Sequence, residues 1–489
     1  MKFKKWISAT ATAILLATSL STTPIASAEE KKTIADESIY DLLVDRFFNK
    51  TNENDYDADV KDESQFSGGD LLGLIEKVDF IGDMGFTIVS IGSVFDTEKY
   101  DGSMVTSYSA IERNFGTTKE FDKVIQTYKD RDMRIMVDFP LNRVSANHEW
   151  AQDPAKQNWV AETTDEGQIL WDYTNKDVQT AVKEAIVDFV EKHKVGGLRL
   201  TNLETVDTAY LNEIIDAVKE VNSDIYIISN DESDAKFDAT FSDETNAIYR
   251  DIFKNVDRDS SKAEEPYSAY LNNQGKPAQL MIDNLDTARF TFDSATENMF
   301  PPTRIRMALG AMFVLPGVPV VQYGTEIAMN GEKKPDTHQL YNFKTETDLI
   351  EYVQDLQMLR NKSETLRQGD LEIVKNKDGL LVVRRTSDEE SWVIMINNTS
   401  KTQKVELSAE ELGKGKKLKG LFEDDMIREN KDGNYVAVLD REIVEFYQVI
   451  DDKGINKSYL IALALVYILF IGFFYALIRR GRAKKGSEE

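Results

Sequence analysis

TTKEFDKVIQTYKDRDMRIMVDF, residues 117–139, carries two readings side by side. Its first part, 117–132, reads as a helix opened by threonine and glutamate, and RIMVDF at 134–139 reads as a strand. The same alternation continues outward. SIYDLLVDRF (38–47), FTIVSIGSVF (86–95), GGLRL (196–200), IYIIS (225–229), AQLMIDN (278–284) and VPVVQYG (318–324) read as strands, with a weaker one at FDATF (237–241). LLGLIEKVDFIGDMG (71–85) has apolar residues at i, i+3 and i+4, and it reads as a helix, as do 175–195, 207–222, 303–315 and 347–366. This alternation over residues 36–368 predicts an α/β fold, a closed (β/α)8 TIM barrel, with functional side chains at the C-terminal strand ends.

After Gly369 the texture changes. LEIVKNKDGLLVVRRT, SWVIMINNTS and NYVAVLDREIVEFYQVI are short strands with turns between them, which predicts a C-terminal antiparallel β-sandwich domain over 369–450. At the other end, Lys2, Lys4 and Lys5 precede an apolar run from Trp6 to Leu20, and Ala26 and Ala28 supply an A-x-A pattern. This predicts a signal peptide over 1–28. Residues 459–478 carry no charge and are long enough for a transmembrane helix. Arg479, Arg480, Arg482, Lys484 and Lys485 follow in a basic tail, 479–489, which predicts a cytoplasmic C-terminus and an ectodomain outside a bacterial plasma membrane.

The chain of 489 residues has no cysteine, which excludes disulfides and thiolate chemistry. Its formal charge is −26. The first 28 residues and the last eleven each contribute +3, so 29–478 carries −32. Such a body repels phosphate backbones, and nucleic acid is not an expected partner. A neutral glycan, a basic protein or a divalent cation fits better.

Five ordered stretches then become informative: DRFFNKTNENDYD (45–57) with GGDLLGL (68–74), VDFPLNRVS (137–145), GGLRLTNLETV (196–206), MIDNLDTARF (281–290) and LPGVPVVQYGTEIAMNG (315–331). From about Ile39 to Ile450 the chain resembles the α-amylase family of glycoside hydrolases, in its neopullulanase- and cyclodextrinase-like branch. The inserted domain of that family is reduced here to 143–173. The resemblance implies a retaining glycosidase, which needs two carboxyl groups about 5–5.5 Å apart. Its nucleophilic aspartate falls on Thr201 and its acid glutamate on Asn230. Family histidines fall on Arg143, Thr205 and Leu285, and the Tyr-His-Gly-Tyr loop reads YDGS, with Asp101 and Ser103. Asp138, Asn142, Arg199, Asn284, Asp286 and Arg289 remain.

Thr201 is neutral and Asn230 cannot deliver a proton. None of the three histidines, His148, His193 and His338, stands at a predicted strand end. By the resemblance Asp286 is the one retained catalytic carboxylate, and Arg199, Asn284 and Asp286 are the candidate sugar-binding residues. An Arg199–Asp286 ion pair at the barrel mouth would be either a sugar clamp or, the reading favoured, a leftover pair that keeps the barrel end satisfied. Asp231, Glu232 and Glu204 lie beside the lost positions and leave open a mechanism with displaced carboxylates.

Asn49, Asn54 and Asp55, with Gly68 and Asp70, offer the oxygen-only ligands that suit calcium. Their spacing resembles a calcium loop of the same branch, with Thr51 at an aspartate position. A second family calcium site would use Asn142 and Asp172, but Thr205 replaces a ligand. Tyr100, Tyr108, Trp150, Trp159 and Trp171 are candidates either for stacking on sugars or for packing the small inserted segment. Two functions follow. One is a non-catalytic, membrane-anchored ectodomain that binds a glycan or a membrane or envelope protein. The other is a surface α-glucan hydrolase or transglycosylase. Thr201 and Asn230 favour the first.

Overall fold

The computed structural model describes residues 32–258, 277–452, 454 and 457–485. The expected signal peptide lies outside the described residues. Seven parallel strands form the central sheet: β1 (Ile39–Asp41), β2 (Ile88–Ser90), β3 (Arg134–Pro140), β4 (Gly197–Thr201), β5 (Tyr226–Ser229), β6 (Gln279–Leu280) and β7 (Val318–Gln322). Their order is β5-β4-β3-β2-β1-β7-β6. The weak FDATF segment closes the ring through parallel bridges, Ile228 to Ala239 and Thr240 to Ala278. The result is a TIM-like barrel.

Several strands are shorter than their apolar runs. After Asp41 the chain turns into a short helix, Val44–Phe47, because the Asp45 carboxylate accepts the amides of Ser67 (2.9 Å) and Gly68 (3.1 Å) and bends the chain toward the next loop. Similarly, AQLMIDN pairs only at Gln279 and Leu280.

Strand alternation sorts the barrel interior into layers. Ile39, Ile88, Met136, Ile228, Val318 and Val320 fill its apolar part. Two residues further along their strands stand Asp41, Ser90, Asp138 and Gln322, so the upper layer is polar. Outside, the helices bury one face each. Thr118–Lys129 is opened by a capping box between Thr117 and Glu120 and buries Phe121, Val124 and Tyr128. The predicted helix at 71–85 divides at Lys77 into Leu71–Glu76 and Val78–Asp83.

Beyond the barrel, six antiparallel strands pair in the order Asp370–Lys377, Leu380–Thr386, Ser391–Asn397, Ile443–Asp451, Lys416–Gly420, Met426–Arg428. Gln403–Ser408 and Asn434–Leu439 form a second, two-stranded sheet. Alternation explains why LLVVRRT is apolar at consecutive positions. Leu380 and Val382 pack with Val405, Leu407 and Tyr435 between the two sheets. Leu381 and Val383 face the other way, into the core shared with Ile305 and Leu309 of the barrel helix Pro301–Met312. A helix, Lys457–Lys485, ends the described chain, and its segment Leu460–Arg479 is long and apolar enough to cross a membrane by length and composition.

Candidate active site at the barrel mouth

β3 and β4 pair with Asp138 opposite Arg199, which directs both side chains into the same polar layer. Arg199 is 1% exposed and makes two forked contacts. Its Nε and Nη2 donate to Asp138 at 2.7 Å each, and its Nη1 and Nη2 donate to Asp41 at 3.2 and 3.1 Å. Burial alone would depress the guanidinium, but Asp138 and Asp41 outweigh it and hold its pKa above the ordinary value. The expected Arg199–Asp286 pair is therefore corrected. Arg199 is enclosed by carboxylates of β1 and β3, whereas Asp286 sits on the loop after β6 with its side chain 80% exposed.

Asp286 has a different partner. Lys334 Nζ stands 2.8 Å from Asp286 Oδ1 and 3.5 Å from Asp101 Oδ2. Burial lowers the lysine, but the two carboxylates prevail and raise its pKa. Burial likewise raises Asp101, but Lys334 and the Ser103 hydroxyl and amide hold it below the ordinary carboxylate value. Asn284 is turned inward to its own loop, its Oδ1 accepting the amides of Asp286 and Thr287 at 2.9 Å.

Thr201 ends β4, and its carbonyl accepts the Leu141 amide at 2.9 Å. No base stands beside its hydroxyl among the described residues. Asn230 follows β5 with its Oδ1 buried and without a partner. The neighbouring carboxylates are engaged. Asp231 Oδ2 accepts the Leu203 amide at 3.1 Å, and burial, with Glu204 and Asp243 nearby, raises its pKa. Glu204 is paired with Arg143. Glu232 lies in a cleft of about 580 Å³ shared with Leu203, Phe241 and Thr245, away from Arg199 and Asp286.

One histidine, on the irregular loop past β7, does reach the mouth. His338 Nε2 lies 2.9 Å from the Leu285 carbonyl and Nδ1 lies 3.0 Å from the Tyr100 hydroxyl. A carbonyl only accepts, so Nε2 carries the proton and Nδ1 accepts from Tyr100. Burial first, then Lys334, drives its pKa down to about 4. Both nitrogens are used, and Thr201 is not among their partners.

The calcium candidates converge in part. Asn49 Nδ2 donates to Asp55 at 3.2 and 3.0 Å, and Asn54 is buried with its Oδ1 lacking a partner. Gly68 has φ +93°, and a Cβ there would fall 2.6 Å from Asp55 Oδ1. Asp70 caps Leu71–Glu76, its Oδ1 accepting Gly73 N at 2.5 Å while Oδ2 accepts the Lys50 and Thr51 amides at 3.0 and 2.9 Å. Burial, with Asp55 adding to it, raises Asp70 above its ordinary value and Asp45 to about 6. No three His, Asp or Glu residues cluster at metal-holding distance among the described residues. The donor set nevertheless fits a hard cation through its amide and carboxylate oxygens, with the Asn49 amide turned. By contrast, Asn142 is filled by peptide groups, donating to the carbonyls of Asn202 and Glu204 and accepting Trp171 N. Four of the aromatic candidates pack the inserted segment, whereas Tyr100 lies at the mouth against Arg46 and His338. Trp171 and Tyr108 are buried, and Trp150 lies edge-on to Trp159 at 5.4 Å.

The profile of the alpha amylase catalytic domain matches residues 41–167, and that of the alpha-amylase C-terminal domain matches 369–447. An α-amylase from Anoxybacillus superposes with a TM-score of 0.83 and 34% identity, over 87% of this chain and 100% of its own. The chain belongs to the α-amylase family. An α-amylase from Geobacillus thermoleovorans, solved with acarbose, is 30% identical with a TM-score of 0.79, over 86% of this chain and 100% of its own. The intracellular maltogenic amylase of Bacillus subtilis (strain 168) is 26% identical over 74% of this chain, which spans 67% of that relative's length. Maltogenic amylase kinship agrees with the neopullulanase- and cyclodextrinase-like branch. Within the α-amylase family, the residues that sequence reading missed here are Asp41, Lys334 and His338. Asp41 was visible as a carboxylate at a strand end, whereas Lys334 and His338 lie on an irregular loop.

Proposed function

We propose that this chain is a membrane-anchored member of the α-amylase family that recognises a partner and does not hydrolyse glucan. The observation that carries the reading is the state of the carboxylates at the mouth. Retaining hydrolysis needs one free carboxylate and one protonated acid facing each other across the sugar. Here the strand ends offer Thr201 and Asn230. Asp41 and Asp138 are held by Arg199, Asp101 and Asp286 by Lys334, and Glu204 by Arg143. A sugar reaching Asp286 Oδ1 meets Lys334 there as a competitor. The occupant favoured is a membrane or envelope protein, with an α-glucan as the other candidate. The helix at Leu460–Arg479 and the basic residues after it support anchoring with the body outside. Calcium bound at Asn49, Asn54, Asp55, the Gly68 carbonyl and Asp70 would neutralise that carboxylate group and fix the first mouth loop.

The test is an assay of the full-length protein on maltooligosaccharides and cyclodextrins, alongside Thr201→Asp and Asp286→Asn. All three are expected to show no turnover above buffer, Thr201→Asp because Asn230 still supplies no proton. Turnover by the wild type that disappears in Asp286→Asn would reject the reading and install Asp286 as a catalytic group. If turnover disappears in Asp231→Asn instead, the displaced-carboxylate hydrolase is correct, since Asp231 is the carboxyl beside Asn230 with a raised pKa.

A further inference from the structure

A groove of about 370 Å³ lies away from the mouth, between the helix Lys176–His193, the strand Val105–Ile111 and the short helix Glu149–Gln152. Its volume is in the range of specific ligand pockets, about 300–1,000 Å³. Ala181 and Ala185, one turn apart, leave room along the helix. Tyr108, Trp150 and Phe189 form the apolar wall. Glu149, Glu184 and Asp188 stand at the rim, opposed by one lysine, Lys192.

Charge makes this groove specific. Glu184 and Asp188 are exposed neighbours at i and i+4, a repulsive spacing; Lys192 stands one further turn on from Asp188, but neither acid forms an ion pair within 4 Å among the described residues. The Ser107 hydroxyl donates to Glu149 Oε1 at 3.0 Å and holds the third carboxylate in place. Trp150 already accepts a cation from within the chain. Lys156 Nζ lies 5.6 Å from its ring centroid and 4.7 Å from that of Trp159. The Trp150 ring, the one partly exposed aromatic of the wall, beside the Glu184 and Asp188 carboxylates suits a guanidinium or ammonium group on an aliphatic stem. It suits a sugar less well, because Tyr108 and Phe189 are too buried to offer a flat platform and the Tyr108 hydroxyl is spent on the Pro140 carbonyl at 2.8 Å.

We propose that this groove binds arginine or lysine side chains of a basic protein partner. The proposal rests on the reading of the chain as a recognition protein, and the body charge of −32 between residues 29 and 478 would steer such a partner toward it.

The probe is a hexa-arginine peptide, titrated calorimetrically into the full-length protein in zwitterionic nanodiscs at low and high salt, with maltoheptaose as the neutral comparison. Wild type is expected to bind the peptide, more weakly at high salt. E184Q/D188N should weaken binding at least tenfold, and W150A at least threefold, with each variant shown to melt cooperatively. D388N/E389Q makes the same charge change on an exposed turn of the C-terminal domain and should stay within twofold of wild type. Equal weakening by the two acid pairs, absence of peptide binding, or maltoheptaose binding that is lost in W150A would overturn the groove proposal. Glucan turnover by the wild type would overturn the recognition reading while leaving the groove result standing.

Discussion

Lys334 Nζ lies 2.8 Å from Asp286 Oδ1, so the carboxylate that the family resemblance marks as retained carries an internal counter-ion. The pair is partly solvated, with side chains 40% and 80% exposed, and its strength is that of a surface ion pair, about 1 kcal/mol or less. Lys334→Ala is therefore expected to change unfolding free energy by no more than about 1 kcal/mol. If Lys334 obstructs sugar, the variant binds maltotriose up to about fivefold more tightly, the equivalent of that energy. Calorimetry on wild type and variant decides it, and equal affinities would show that the lysine does not compete.

Arg199 should behave in the opposite way. Its removal leaves Asp41 and Asp138 buried and unpaired, which costs about 3–5 kcal/mol. Arg199→Lys keeps the charge but loses the double fork and should also destabilise substantially. Urea unfolding of Arg199→Met, Arg199→Lys and wild type measures both. A change under about 1 kcal/mol for the methionine variant contradicts the brace.

His148 sets a pH dependence. It is fully buried among Tyr108, Trp150 and Trp171, and its Nδ1 accepts the Trp150 amide at 3.1 Å. Burial lowers its pKa from 6.5 to about 3. The unfolded chain takes up a proton near pH 6.5 that the folded chain refuses until about pH 3. Stability from this group is thus present above pH 6.5 and lost as pH falls between those values. Relative to His148→Asn, wild type should lose about 2 kcal/mol between pH 7 and pH 5. Parallel stability curves would place the histidine in contact with solvent.

Calcium should raise the melting temperature of the wild type, because a ligand of the folded state alone stabilises it. The increment should disappear in Asn54→Ala and in Asp55→Ala. Asn54 is the more telling variant, since it removes the unpartnered buried Oδ1 without changing charge. An unchanged curve for wild type in chelator and in millimolar calcium removes the site.

Deletion of residues 457–489 should move the protein from the detergent phase to the aqueous phase on phase separation, with its far-UV spectrum otherwise folded. Retention of the truncated chain in the detergent phase would assign membrane association to the body.

Local periodicity and ordered motifs made much of this molecule legible. The βα alternation located the barrel strands, including FDATF, whose bridges at Ala239 and Thr240 close the ring. The motifs placed Thr201 at the end of β4 and Asn230 after β5. Pairing across the barrel was not legible. Arg199 reaches Asp41, 158 residues earlier, and nothing near either residue distinguishes that partner from Asp286. Lys334 was invisible for another reason. It lies on an irregular loop past β7, where neither alternation nor helical spacing says which way a side chain points.

The strand Ile443–Asp451 leads toward the terminal apolar helix and lies inside its sheet. It is bonded on one side to Trp392–Asn397 and on the other to Lys416–Gly420. A pull transmitted from the terminal helix would run along this strand and load both ladders in shear, so that their hydrogen bonds must fail together and not one after another. The C-terminal domain would then serve as a mechanical coupling between that helix and the barrel.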